Sequence, residues 1–218
     1  MSQRVVILLG PPGAGKGTQA TRLGAALGLA HVSTGDLFRE NLSKGTALGQ
    51  KARGYMDAGQ LVPDQLVLDM LFDRVSKSDC SKGYLLDGFP RTIPQAEALE
   101  KSLKAGGAQV CVLNLRVPDA LLLERITGRR TCKSCGNAHH LKYSAPKVEG
   151  RCDKCGGELT QRSDDSAEVF GKRLQVYREQ TQPLEAFYEA RGLVRSVDGA
   201  RNPDQVFQDL QSFAKEAA

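Results

Sequence analysis

No apolar run in this 218-residue sequence exceeds five residues, Val5 to Leu9. A helix needs about 20 apolar residues to cross a bilayer, so no membrane span and no membrane partner are expected. The N-terminus carries Arg4 but neither an apolar stretch of signal-peptide length nor a small-residue cleavage site. That pattern predicts no secretory signal and a cytoplasmic protein. No block of five like charges occurs, which argues against a nucleic-acid-binding tail of the usual kind. Internal repeats and low-complexity segments are also missing. What is present is ordinary globular usage, 40% hydrophobic and 25% charged residues. A chain this long buries roughly 70% of the surface its unfolded form exposes, which excludes disordered and collagen-like classes. Thirty Lys and Arg against 25 Asp and Glu give a net charge of +5. So mild an excess suits a binder of small polyanions as well as one of nucleic acid.

There are six cysteines. Cys80 and Cys111 stand alone. The other four form two C-x2-C pairs, Cys132 with Cys135 and Cys152 with Cys155. Each pair places two thiolates on one tight turn, and two such turns close a tetrahedron around Zn2+. Gly136 and Gly156-Gly157 follow the pairs and permit the backbone such a knuckle needs. Disulfides do not suit a chain without a secretory signal. His139 and His140 lie nearby, but four thiolates already fill the tetrahedron, so both read as non-ligands. With no open position the zinc is expected to be structural.

Short apolar runs at 5–9, 31–33, 83–87, 109–115 and 193–197 alternate with helical patterns at 15–27, 65–75, 93–103 and 118–127. Strands alternating with helices predict a parallel sheet covered on both faces. A longer helical stretch spans 167–191, interrupted by Pro183, and a last helix follows Pro203 with Asn202 as its cap. Two segments break the alternation. Residues 34–62 read as helices only. Residues 128–165 hold the cysteine block, carry few core-type side chains and need their metal to hold shape. Both read as insertions into an α/β core.

The first apolar run leads into Gly10-Pro-Pro-Gly-Ala-Gly-Lys-Gly-Thr18 and then a helix. This is G-x4-G-K in the strand–loop–helix context that the motif requires. Glycines let successive backbone N–H groups face phosphate oxygens, the helix N-terminus adds partial positive charge, and Lys16 reaches the β- and γ-phosphates. The residue after the lysine is Gly17, not Ser or Thr; the hydroxyl comes one position later, at Thr18. Asp87 ends another apolar run and suits Mg2+, held through its waters. Gly88-Phe89-Pro90-Arg91 follows it.

Gly10 to Thr18, Ser33-Thr34-Gly35-Asp36, Asp87-Gly88-Phe89-Pro90-Arg91 and Gly128-Arg129-Arg130, in that order, resemble the adenylate kinases over essentially the whole chain. The four-cysteine segment is similar to the zinc-bearing lid of many bacterial members. The resemblance implies an α/β fold of the P-loop NTPase type, with a parallel five-stranded sheet. Its core comprises 1–32, 63–127 and 166–218, with a nucleoside-monophosphate-binding insertion at 33–62 and a zinc-ribbon-like lid at 128–165.

It further implies reversible phosphoryl transfer from Mg-ATP to AMP, giving two ADP. The AMP phosphate is largely dianionic near neutral pH, so no general base is expected, and catalysis falls to positioning and charge neutralisation. The charges so implied are Lys16, Arg91, Arg129, Arg162 and Arg173. The resemblance assigns Gly13, Ala14, Gly15, Lys16, Gly17 and Thr18 to the ATP phosphates, with Arg125 and Arg129 reaching them from the lid. It places the backbone near Arg201 against the ATP adenine and Ala138-His139 over it. Thr34, Arg39, Gly88, Phe89, Pro90 and Arg91 would hold AMP. Gln60, Leu61 and Val62 would line its base pocket, Gln95 would read the adenine edge, and Arg162 and Arg173 would bridge to the transferring group. The implied cofactors are structural Zn2+ and the Mg2+ of ATP, in a monomer.

Three other readings are open to test. A kinase for another monophosphate would share the fold, but Thr34 and the long lid favour AMP. A nucleic-acid-binding zinc ribbon would use Lys133, Lys142, Lys147, Arg151 and Lys154, but only Tyr143 interleaves these cations and the phosphate loop goes unexplained. A nucleotide switch without turnover needs fewer arginines.

Overall fold

The computed structural model describes residues 3–216. Its centre is a five-stranded parallel sheet formed by β1 (Arg4–Leu9), β2 (Ala30–Ser33), β3 (Gly83–Asp87), β4 (Gln109–Arg116) and β8 (Val194–Asp198), in the order β2-β3-β1-β4-β8. All pairings are parallel; Ile7 sits between Leu86 and Val112. The helices are α1 (Lys16–Leu27), α2 (Thr34–Ser43), α3 (Ala47–Asp57), α4 (Asp64–Val75), α5 (Ile93–Ala105), α6 (Asp119–Thr127), α7 (Ala167–Val176), α8 (Leu184–Glu189) and α9 (Pro203–Glu216).

The run Val5 to Leu9 is apolar throughout because both faces of the sheet are covered. Val5, Ile7 and Leu9 join Leu86, Phe89, Leu99, Val112 and Leu184 in the core on one face. Val6 and Leu8 join Leu23, Leu85, Leu113, Leu122 and Leu210 on the other. The carboxyl ends of β1, β2 and β3 (Leu9, Ser33 and Asp87) reach the same edge of the sheet, where ligand sites of such folds are built.

Two excursions leave the sheet. After β2 the chain forms α2 and α3, capped by Ser33 at the Asp36 N–H and by Thr46 at the Gly49 N–H. Gly49 is needed there, since any Cβ would run into the Asn41–Leu42 backbone of α2. After α6 the chain forms a small antiparallel sheet of β5 (Arg129–Cys132), β6 (Ala138–His140) and β7 (Leu159–Thr160), in the order β6-β5-β7. Among the described residues its buried hydrophobic cluster is Cys132, Cys152 and Leu159. The excursions meet where Ser163 donates a 2.8 Å hydrogen bond to Asp57.

The helical stretch expected over 167–191 is broken earlier than Pro183. A wide π-type turn occupies Tyr177–Thr181, between α7 and α8. Thr181 there donates a 2.8 Å hydrogen bond to the Arg91 carbonyl, tying the turn to the loop after β3. The last helix starts at Pro203, and Asn202 accepts from the Asp204 N–H as expected. Among the described residues, no helix is long and apolar enough to cross a membrane.

Candidate active site

The loop from Gly10 to Gly15 leaves β1 and enters α1 through left-handed glycines, with φ of 87° at Gly13 and 93° at Gly15. At Gly13 a side chain is excluded twice, by φ and by the Leu122 carbonyl oxygen, 2.8 Å from where a Cβ would stand. Gly15 caps α1 without a side-chain bond, and the first turn contains no acid. The N–H groups there are left for an external anion. Lys16 folds back over the loop and donates to the carbonyls of Gly10 (2.6 Å) and Pro11 (2.9 Å).

A cleft joins this loop to elements distant in sequence. It is lined by Gly10, Pro12 and Lys16, by Gly59 and Leu61 after α3, by Gly88, Pro90 and Arg91 after β3, and by Arg173 of α7. Gly59 approaches the Arg173 side chain closely, a Cβ there standing 3.1 Å from it. Thr34 is buried and donates to the Gly88 carbonyl at 2.8 Å, and Arg91 Nε donates to the same oxygen at 2.8 Å.

Burial and like charge dominate the electrostatics. Burial drives the Lys16 ammonium down to about 7, partly opposed by Asp87 and reinforced by Arg91, Arg173 and Arg129. Burial, then Arg173, lowers Arg91 to about 10. Burial, then Arg39 and Arg129, lowers Arg162 to about 10. Arg173 is also lowered, by burial first, despite its 2.9 Å ion pair with Asp164. Arg129 is raised, because a two-pronged grip on the fully buried Asp165 outweighs its burial. Arg39 pairs with Asp36 at 2.6 Å. Burial works to raise Asp36, Asp87 and Asp164, yet all three are held below the usual carboxylate range, by Arg39, by His31 and Lys16, and by Arg173 respectively. A concentration of cations this desolvated calls for a polyanion.

Asp87 closes β3 beside the phosphate loop, its Oδ2 3.3 Å from where a Cβ of residue 17 would lie. A hard, partly hydrated cation fits this single carboxylate next to a phosphate site, and Gly17 leaves it room. Thr18 is exposed. His31, 3.6 Å from Asp87, escaped the sequence reading. So did Asp164 and Asp165; their only signal was two acids directly after Arg162-Ser163.

The four cysteine sulfurs converge within 4.8 Å of one another. Cys132 and Cys155 are 3.5 Å apart and Cys135 and Cys152 3.7 Å. Tetrahedral zinc with bonds of about 2.3 Å separates its sulfurs by about 3.8 Å, so the residues fit the ion. Gly157 forms part of the cradle: a Cβ there would stand 3.0 Å from the Cys132 sulfur.

Two expectations need adjustment. His139 was expected over a nucleotide base, but it is only 6% exposed, and its Nε2 stands 3.0 Å from the Asn137 side-chain nitrogen within the lid; the exposed neighbour is Ala138. Gln95 is 1% exposed, and its amide is engaged with Asp64 (2.6 Å) and the Arg91 N–H (2.8 Å). It therefore holds the loop after β3 in the structure. The Arg201 side chain is paired with Asp209, leaving only its backbone for a ligand. The backbone of that loop does lie beside Arg125, which donates to the Gly199 carbonyl at 2.9 Å. Gln60 and Leu61 follow α3, with Val62 buried against the core.

Comparison with known proteins gives a consistent result. The family model described as adenylate kinase matches residues 8–193. A protein of Desulforudis audaxviator named adenylate kinase is 55% identical over 206 residues, 94% of this chain and 96% of that one. One of the same name from Carboxydothermus hydrogenoformans is 52% identical, over 95% of this chain and 97% of its own length. A third, from Clostridium acetobutylicum, is 50% identical, over 97% and 99%.

Proposed function

The chain belongs to the adenylate kinase family, and from that premise we propose how its own residues carry out the family reaction, ATP + AMP ⇌ 2 ADP. It is a nucleoside monophosphate kinase. The observation that carries the assignment of roles is the cationic cleft, in which Lys16, Arg39, Arg91, Arg129, Arg162 and Arg173 act on one another's ionisation.

In this reading the N–H groups from Gly13 to Thr18 and the Lys16 ammonium hold the ATP phosphates. Thr34, Arg39, Arg91 and the backbone from Gly88 to Pro90 hold AMP, with Gln60, Leu61 and Val62 against its base. Gln95 acts on the base pocket through Asp64 and the Arg91 N–H. Arg125, the backbone near Arg201 and Ala138 bound the ATP adenine. Lys16, Arg91, Arg129, Arg162 and Arg173 surround the phosphoryl group in flight.

An AMP phosphate oxygen attacks the γ-phosphorus in line, and the bond to the bridging oxygen of ADP breaks. The attacking oxygen is already deprotonated, so no side chain need accept a proton. Charge spreads over the equatorial and leaving oxygens, where fixed guanidinium groups stabilise it more than they stabilise the ground state. Arginine suits the task because its planar fork grips two oxygens and stays charged even when lowered to about 10. Asp87 would hold the Mg2+ of ATP, which would supply neutralising charge to the phosphates. Residues 33–62 and 128–165 serve as monophosphate-binding insertion and lid, excluding water from the transfer. Cys132, Cys135, Cys152 and Cys155 hold a structural zinc, and the enzyme works as a cytoplasmic monomer.

The test is turnover of purified protein with Mg-ATP and, separately, AMP, GMP, CMP or UMP. ADP formation with AMP alone is expected. Preference for another monophosphate overturns the roles given to Thr34 and Gln95. Absence of turnover with every acceptor overturns the kinase assignment.

A further inference from the structure

A carboxylate that phosphoryl transfer does not use stands behind the glutamine assigned to the AMP base. Asp64 opens α4, shortly after residues 60–62 of the same pocket. Its Oδ1 accepts from Gln95 Nε2 at 2.6 Å and its Oδ2 from the Thr92 hydroxyl at 3.0 Å. The Thr92 oxygen in turn accepts from the Gln95 backbone N–H at 3.3 Å, as the cap of α5. On its other side, Gln95 Oε1 accepts from the Arg91 N–H at 2.8 Å. Arg91 is itself fixed: its carbonyl accepts from Thr181 and its Nε donates to the Gly88 carbonyl, both at 2.8 Å. The glutamine between these partners is 1% exposed.

These partners decide which end of the amide is which. A backbone N–H only donates, so the atom facing Arg91 must be the oxygen. A carboxylate only accepts, so the atom facing Asp64 must be the nitrogen. Turning the amide over would aim its oxygen at the carboxylate and its nitrogen at the Arg91 N–H, two repulsive contacts away from water. Each end has capacity to spare: Oε1 keeps a second lone pair and Nε2 a second hydrogen, neither used among the described residues. An acceptor and a donor side by side, in fixed order, match the 6-amino group and N1 of adenine. A 6-oxopurine has the reverse order, O6 accepting and N1–H donating, and needs the amide turned over. We propose that Asp64 is a positioning residue for the choice of acceptor: by locking the Gln95 amide, it selects a 6-aminopurine monophosphate over a 6-oxopurine one. The inference rests on the reading of this pocket as the base site of AMP.

The full-length protein and its variants are compared by the dissociation constants of AMP and IMP, read by calorimetry, and by kcat with AMP and Mg-ATP. The unsubstituted protein should bind AMP more tightly than IMP by about tenfold or more. Equal or tighter binding of IMP overturns the base-site reading and this proposal together. Asp64→Leu removes the acceptor at similar size. It should weaken AMP binding about 10–100-fold while IMP binding and kcat at saturating AMP stay within about threefold, so that the preference collapses. Asp64→Asn can still accept from Nε2 through its Oδ1 with its amide nitrogen toward Thr92, and should restore the preference to within about threefold of the unsubstituted protein. A Leu variant that keeps the preference for AMP, or that loses AMP and IMP in equal measure, overturns the proposal and leaves the base site standing. So do Leu and Asn variants that are equally impaired. Should Leu fail to fold, Asp64→Ser, too short to reach the amide and suited to the start of a helix, is read against the same outcomes.

Discussion

Lys16 should take up a proton when ATP binds. In the free protein its ammonium is lowered from 10.5 to about 7 by burial, with Arg91, Arg173 and Arg129 adding to the effect. Its two hydrogen bonds, to the Gly10 and Pro11 carbonyls, survive deprotonation, because a neutral amine retains two hydrogens. The third hydrogen of the ammonium is the one a phosphate oxygen requires. Phosphates in the loop reverse the local potential and return the lysine toward its ordinary value. The bound state therefore has the higher pKa and binds more protons, so affinity is fully present below about pH 7 and falls as pH rises above it. With a free value of 7 and a bound value near 10.5, uptake is about 0.9 proton per ATP at pH 8 and about 0.5 at pH 7. The dissociation constant should rise about fifty-fold from pH 7 to pH 9. Calorimetry at pH 8 in buffers of different ionisation enthalpy reads the uptake directly. Lys16→Arg, which stays charged throughout, provides the subtraction for every other titrating group. Equal uptake in the two proteins would refute the reasoning, since it would mean that Lys16 is already charged in the free cleft.

The arginines should divide by partner. Asp165→Asn removes the buried carboxylate that holds Arg129 and reaches Arg173 at 3.4 Å. A loss of about 2 kcal/mol and roughly 4–8 °C in Tm is expected, with KM raised for both nucleotides. Arg162→Gln removes a charge lowered by burial and by neighbouring arginines, so Tm should hold or rise while kcat falls about 100-fold or more. A thermal scan and steady-state kinetics decide both, and the opposite ordering of the two Tm values would refute the division. Cys132→Ser removes one of the four converging sulfurs beside the small lid core, and with it the zinc proposed there. Expected are a fall of roughly 5–10 °C in Tm, with turnover at low temperature reduced only several-fold. Loss of nearly all activity in a folded, metal-free protein would show the lid metal to be catalytically indispensable.

Much of the site is legible in the sequence because its chemistry is local. The phosphate loop, the Asp87–Arg91 loop and the cysteine knuckles each occupy a short contiguous stretch, and each spacing follows from the geometry it must form. The strand–helix alternation is legible because burial on both faces leaves uninterrupted apolar runs. What sequence does not show is pairing across the fold. Asp165 meets Arg129 over 36 positions, and Thr181 meets the Arg91 carbonyl over 90. His139 shows the same limit over one position. In a strand of three residues, alternate side chains face opposite ways, so a single step of register decides whether residue 139 is exposed or buried within the lid.

The pairings also explain how so many cations share one cleft before any nucleotide arrives. Arg39, Arg129 and Arg173 each have a carboxylate, from Asp36, Asp165 and Asp164. These acids hold the guanidinium groups in position. Arg91 and Arg162 have other contacts, the Gly88 carbonyl and the Thr131 hydroxyl. Neutral oxygens orient a guanidinium without cancelling its charge, and both arginines are lowered to about 10. Asp87 and Asp164 partly offset the electrostatic stress on Arg91, and Asp165 and Asp36 that on Arg162; an incoming anion relieves the remainder, most of all the species with the greatest charge spread across the cleft. Two nucleotides bound side by side supply more of that charge than either alone. The unpaired arginines thus favour the arrangement in which donor and acceptor phosphates are present together, the one from which transfer proceeds.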